Sequence, residues 1–279
     1  MKLAKLFRRN PLIFCGSTLI ILIILAALFS PWLAPHDPWQ YQQAFLEPSR
    51  EHWLGTNDVG QDIFSELLAA GRVSLGVGFV AALVAAATGA VVGIVAGFRR
   101  GVLDEVLMGA TDTVLVIPVL PLVVLISAYL GPNLINVCLL IGLVMWPSIA
   151  RIIRSRVLSL RQSGYVESAR ALGAGDRWIM LHHILPNAMP VLLAKFVLTM
   201  AGAMLIEASV SFLGLGDPGA KSWGMMLYYA FSRGGFIREM WWWYLPPGLA
   251  IALVIFALNL VNLGFEEKSD PRLKRVLEG

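Results

Sequence analysis

Charge is what this sequence has least of. Only 14% of its 279 residues are Asp, Glu, Lys or Arg, against 57% hydrophobic, and a soluble fold of that length cannot be surfaced by so few polar groups. Cysteine is scarcer still: Cys15 and Cys138 each lie inside an apolar run with no Cys-x-x-Cys pair, which removes disulfide frameworks and cysteine metal sites. No Gly-x-x-x-x-Gly-Lys-Ser/Thr loop is present, so the chain lacks that phosphate cradle. No Gly-x-Ser-x-Gly elbow and no acid pair set by spacing in one pocket occur either, and no catalytic residue is assigned. Of the four histidines, His36 and His52 are far apart in one loop while His182 and His183 are adjacent and point to different sides of a helix; without His-x-x-x-His spacing, no metal site is expected. The formal charge of +4 and pI near 9.2 come from short basic clusters between apolar runs, which argues against a nucleic-acid partner. Repeats of solenoid length and low-complexity tracts are missing too.

What the sequence has in abundance is apolar runs long enough for the lipid bilayer, which takes about 20 residues. Six follow one another: residues 12–33, 73–98, 106–130, 134–150, 189–213 and 244–265. Each must be helical, because backbone in lipid has to satisfy its own hydrogen bonds. The first could pass for a signal peptide, but the uncharged stretch 11–35 is too long for one and Pro31-Trp32 spoils a cleavage site. Pro118 and Pro121 are expected to kink the third span. With the N-terminus inside, 16 of the 22 Lys and Arg residues fall in inner segments, which places both termini in the cytoplasm. The run Trp241-Trp242-Trp243-Tyr244 then marks the outer interface, where amphipathic rings settle.

The inner segment 151–187 is the largest polar stretch on that side. Residues 164–172 read as a short helix, Gly173-Ala174-Gly175 interrupts it, and Asp176 is expected to N-cap a second short helix over 177–185 that Pro186 ends. Val166, Ala169 and Leu172 on one arm and Trp178, Leu181 and Leu185 on the other form apolar stripes. Periodicity leaves two uses open: docking into a groove of a soluble partner, or lying on lipid headgroups.

Glu167-Ser168-Ala169, then Gly173, then His183-Ile184-Leu185-Pro186 resembles the cytoplasmic signature of permease subunits of binding-protein-dependent ABC importers. Ser168 replaces an alanine of that pattern and His183 an apolar residue. On the outer side, Trp53-Leu54-Gly55-Thr56-Asn57-Asp58-Val59-Gly60-Gln61-Asp62 is similar to the loop signature of peptide and nickel permeases, above all the second (C-type) subunit of dipeptide, oligopeptide and nickel systems, with Gln61 where a basic residue is usual. Residues 207–216, 222–227 and 270–274 resemble the same subunits.

The resemblance implies an all-α integral membrane protein with the type I ABC importer permease fold and cytoplasmic coupling helices. Residues 1–34 would be the cytoplasmic N-terminus and first transmembrane helix, 35–72 an outer loop, 73–265 a permease core of five helices with a coupling elbow at 161–187 and an outer loop at 214–243, and 266–279 a cytoplasmic tail. Glu167, Ser168, Ala169, Gly173, Asp176, Leu185 and Pro186 would couple to the ATPase. Trp53, Gly55, Thr56, Asp58, Gly60 and Asp62 would form the outer signature. The implied partners are a second related permease, two ATPase subunits carrying ATP and Mg, and an extracytoplasmic solute-binding protein; this chain would bind no cofactor itself, and the cargo would be a peptide or a nickel or metal chelate.

Charged and amide side chains within spans are costly and so become site candidates. Glu207 either faces the pathway or pairs with a neighbouring helix; Asn259 and Asn262, three apart, share a face expected to point into the bundle. Asp112 is expected to cap its helix or pair with an inner arginine. The competing reading is an ion-coupled secondary transporter or channel acting without an ATPase partner, which would be expected to show internal symmetry or intramembrane ion-binding acids.

Overall fold

In a chain this apolar, helices are sorted by the size of the residues on their faces. The computed structural model describes residues 11–269, with side chains through 265; the Lys2, Lys5, Arg8 and Arg9 cluster and the 270–274 signature lie outside the described residues. In chain order the helices are α1 (Pro11–Leu28), α2 (Ser30–Leu33), α3 (Ile63–Arg99), α4 (Val102–Val116), α5 (Val119–Leu130), α6 (Leu134–Arg161), α7 (Gly164–Ala171), α8 (Asp176–Ile179), α9 (Leu185–Val210), α10 (Trp223–Ser232) and α11 (Trp241–Ser269). No β-strand occurs among the described residues; a lone bridge joins Thr56 to Asp62.

The axis of the molecule is α3, whose most extensive contact is with α6. Gly89, Gly93 and Gly97 recur every fourth residue and so share one face, and α6 lies directly on it: a methyl built on Gly93 would sit 2.6 Å from the Ala150 carbonyl oxygen, and one on Gly97 2.9 Å from that of Arg154. Gly142 of α6 reciprocates by receiving Val84. Between helices in lipid, where burial of apolar surface favours no partner, such close backbone approach is what holds a pair together.

Three buried clusters surround this seam. Toward the end where Arg99, Arg154 and Arg161 gather, Phe98, Ile153, Val157 and Leu160 pack with Val166 and Ala169 of α7 and with Ile179 and Ile184. Val123 of α5 joins Val137 and Ile141 of α6 and Ala203 of α9. At the opposite end, Ala70 and Leu75 of α3 meet Met204 of α9, Trp223 and Met226 of α10, and Trp243 and Val254 of α11. There Arg72 of α3 donates to the Ala27 carbonyl (2.7 Å) and the Leu28 carbonyl (2.5 Å), satisfying carbonyls that the end of α1 leaves open.

Five helical stretches are long and apolar enough to cross a membrane; a sixth crossing exists only if α4 and α5, bent by 84° across a short break, are one span. The expected kink in the third span is therefore a break. Ile117 and Pro118 are both extended, as a residue before proline prefers, and Pro121 falls in the first turn of α5, where a missing N–H costs no intrahelical bond. The aromatic run also departs from expectation: Trp241 is exposed, but Trp243 is wholly buried in the core, so the run straddles core and surface.

Replacing Gly93 with Leu is expected to separate α3 from α6 and abolish recovery of folded, monodisperse protein from membranes. Gly109→Ala, where an added methyl meets nothing within 4 Å, is the control. Size-exclusion profiles and thermal melts in detergent decide it.

Candidate functional site

α6 ends in a turn at Gln162-Ser163 from which α7 runs for two turns. Its C-terminus closes by two bonds, the Ala174 N–H to the Ala169 carbonyl (3.1 Å) and the Gly173 N–H to that of Arg170 (3.0 Å), a pairing that needs a left-handed residue between helix and exit. Gly173 supplies it at φ +85, and a side chain there would meet no atom within 4 Å, so the space around the elbow tip is open.

The second arm differs from expectation in two ways. Gly175, extended, takes the cap position and no side chain caps; Asp176 is the first helical residue, where its charge still suits the positive end of the peptide dipoles. Nor does Pro186 stop the arm. From Met180 to Ile184 the helix widens into a π turn, and the Leu185 N–H reaches back five residues to the Met180 carbonyl. The carbonyl of His183 accepts from the Asn187 side-chain amide (2.7 Å), and the helix passes through Pro186 just beyond the widened turn. The arm thus continues through α8 and the π turn into α9, and the helical path is interrupted only at Gly214, whose φ is +82.

The apolar stripes divide in function. Val166 and Ala169 face inward and are buried, as are Ile179 and Ile184. The remainder is bare: Leu172 is 88% exposed, Leu181 61% and Trp178 47%. Glu167, Ser168, Gly173, Asp176 and Pro186 are exposed beside them, and Leu185 is half-buried. His183 lies edge-on to Trp178 at 5.0 Å, and His182 stacks on the same indole at 4.7 Å. Below the elbow, the guanidinium groups of Arg161 and Arg170 lie 5.8 and 5.6 Å from the Phe98 ring centre. Arg154 grips both carboxylate oxygens of Asp104 (2.6 and 2.7 Å), a bidentate geometry that fixes orientation as well as charge. Asp112 pairs with Arg151 at 2.6 Å, with both side chains more than half exposed, so that link contributes little energy.

On the opposite end, the outer signature is a knot of local bonds. Thr56 Oγ1 donates to the Gln43 carbonyl (2.7 Å) and accepts from the Leu46 N–H (2.9 Å). Gly55 and Gly60 have positive φ, and a methyl on either would overlap the carbonyl oxygens of Leu46 or Gln42. Asp62 caps α3 by accepting from Ser65 N–H (2.8 Å) and Oγ (2.6 Å). Asp58 faces Arg233 at 3.8 Å; burial pushes its carboxyl above its ordinary value, and Arg233 offsets part of that. Trp53 is exposed, with its ring tilted against that of Phe64 at 4.8 Å.

Two features escaped sequence reasoning. Lys221, from the second outer loop, donates to Gln61 Oε1 (2.7 Å) and Glu66 Oε1 (2.9 Å) and lies 4.5 Å from the Trp39 ring centre; a lone lysine amid prolines and glycines carries no signal of a partner 155 residues upstream. His36 and His52, far apart along the loop, bring their rings to 4.6 Å.

Of the polar groups within spans, Glu207 is 2% exposed; Oε1 accepts from Ser211 Oγ (2.7 Å) while Oε2 has no partner. Asn262 is buried. Asn259 donates to the Ile255 carbonyl (2.8 Å) and lines, with Ser209, Leu205, Phe212 and Phe256, an open groove of about 680 Å³ between α9 and α11. The two amides therefore do not share one inward face: Asn262 points into the bundle and Asn259 onto the wall of a groove.

Residues 89–275, which include the elbow and the groove, match the family model of the binding-protein-dependent transport system inner membrane component. The chain belongs to that family. Residues 2–48 of this permease also match the N-terminal transmembrane domain of oligopeptide transport permease C. It is 36% identical over 276 residues, 97% of its length and 91% of the relative's, to a probable D,D-dipeptide transport system permease protein of Escherichia coli (strain K12). It is 35% identical over 272 residues, 96% and 89% of the two chains, to glutathione transport system permease proteins of Escherichia coli O6:K15:H31 and Shigella boydii. The permease is thus a transport component of a membrane and not an enzyme.

Val166→Ala in the permease is expected to lower stability by roughly 1–3 kcal/mol, the cost of removing buried methyls. Leu172→Ser, at the bare tip, should stay within about 0.5 kcal/mol. Melts of the purified variants in detergent separate the seat of the elbow from its free surface.

Proposed function

We propose that this permease forms half of the translocation pathway of an ATP-driven importer of short peptides, and that its elbow is the surface on which an ATPase subunit pushes. The observation that carries the proposal is the division of the elbow: one side is anchored to α3 and α6 through Val166, Ala169, Ile179 and Ile184, while on the other Leu172 and Leu181 are bare and Trp178, backed by His182 and His183, is about half exposed. A solvated polar loop would not leave two large apolar side chains uncovered around an open glycine, whereas a short helix entering a partner's groove requires that arrangement. ATP and Mg belong to two ATPase subunits, since the chain has no phosphate-binding loop of its own.

The basic end of the bundle lies in the cytoplasm, with both termini, by the excess of Lys and Arg there; the membrane is the inner one. A second related permease covers the groove between α9 and α11, whose apolar wall with Ser209 and Asn259 suits helix-to-helix contact with a few amide and hydroxyl bonds. A solute-binding protein meets the outer loops and delivers the cargo. D,D-dipeptide and glutathione, named for the relatives, favour a peptide over nickel or a metal chelate.

Leu172→Asp is expected to leave membrane insertion intact while lowering peptide uptake about tenfold or more and releasing ATP hydrolysis from control by the binding protein, as one desolvated carboxylate in an apolar contact would. Gly173→Val should do the same with a small loss of stability, because valine is strained at positive φ. Uptake and ATPase assays on the complex in proteoliposomes measure both. Full uptake by Leu172→Asp would sink the coupling role, and ion-driven flux by the permease alone would sink the importer itself.

A further inference from the structure

The outer loop carries a second site that the transport reading does not use. His52 is buried, and its Nδ1 lies 2.9 Å from Asp62 Oδ1. His36 is half-buried, and its Nε2 lies 2.9 Å from the Glu51 carbonyl oxygen. Both acceptors lack a proton to give, so each imidazole must donate there, which leaves the lone pairs on His36 Nδ1 and His52 Nε2. Imidazoles that bind metal are held in this way, one nitrogen donating to a carboxylate or carbonyl and the other free.

The two rings sit 4.6 Å apart, and one ligating atom from each of His36, His52 and Asp62 lies within 4.8 Å of the others. Asp62 is itself immobilised by Ser65, whose Oγ also accepts from the backbone N–H of His36 (3.2 Å). Capping α3 requires Asp62 and Ser65 alone; a second oriented imidazole laid against the first is not needed for that. A cavity of about 450 Å³ is bordered by His36, Asp37, Ser65 and Arg72, and the Arg72 guanidinium is turned to the α1 carbonyls.

We propose that this cluster binds a divalent transition-metal ion of borderline softness, zinc, nickel or copper, through His36 Nδ1 and His52 Nε2, with Asp62 orienting His52 and water completing the shell. Nitrogen donors exclude magnesium and calcium, which take oxygen. The ion would clasp the segment after α2 to the signature loop at the start of α3.

The test uses full-length permease purified without a polyhistidine tag, titrated with zinc and, for its visible absorption, cobalt. One ion per chain is expected, with a raised Tm that magnesium does not reproduce. His36→Ala should weaken binding by about tenfold or more, and His52→Gln should weaken it likewise while keeping a donor to Asp62. A His182→Ala, His183→Ala double variant should bind as the parent does. Binding that survives both His36→Ala and His52→Gln, binding lost with His182 and His183, or no stoichiometric binding by the parent overturns the site.

Discussion

Everything in this permease hangs on the glycine face of α3. Because lipid is as apolar as leucine, two spans gain nothing by merely being hydrophobic together; they gain by fitting. Gly89, Gly93 and Gly97 bring α6 to within a backbone's thickness, and that contact creates the floor of Phe98, Val157 and Leu160 on which the elbow sits. Without the seam the elbow would have no fixed seat, and Asp104 and Arg154 would not be held at bidentate distance.

The opposite end of α3 is secured by different chemistry. Outside the membrane, polar side chains can be spent on one another, and the outer loops do so densely: Asp62 caps the helix, Lys221 ties the second loop to Gln61 and Glu66, and the Trp223 indole donates to the Leu67 carbonyl at 3.0 Å. The Lys221–Glu66 pair is largely buried, so removing either partner would strand a charge, at a cost of about 3–5 kcal/mol. The loops are thereby part of the rigid body of α3.

The spans were legible because hydropathy and length suffice for them, and the helix-turn-helix form of the elbow because Gly173 separates two apolar stripes, although periodicity left its use open between a partner's groove and lipid headgroups. What could not be read depends on geometry that sequence does not carry. Pro118 announces a disturbance but not its size; the 84° bend arises because Ile117 and Pro118 are extended in succession. Pro186 reads as a stop, yet the helix passes through it beside a π turn. The stripe on the elbow predicted which residues are apolar but not that Val166 would be buried and Leu172 bare, since that depends on where the partner wall stands. His36 and His52 meet only because the intervening loop folds back on the start of α3, and Trp243 is buried because α10 and the loop before α11 bring the core up to it.

These ends are joined by one uninterrupted element. α3 has 37 residues, a rise of about 55 Å at 1.5 Å per residue, enough to cross the bilayer and project beyond it. A helix with both ends clamped cannot absorb a push by bending at one of them. Force applied at the elbow would reach α3 through Val166 and Phe98 and α6 through the glycine seam, and because the outer loops are bonded to the far end of α3 they must move with it. The interruptions in packing lie elsewhere: at the Ile117-Pro118 break, and along the open groove between α9 and α11. A closely packed core does not deform continuously, so it switches between discrete packings. The α3–α6 pair is therefore the continuous link between the elbow and the outer loops, and any motion that couples the two would have to run through it.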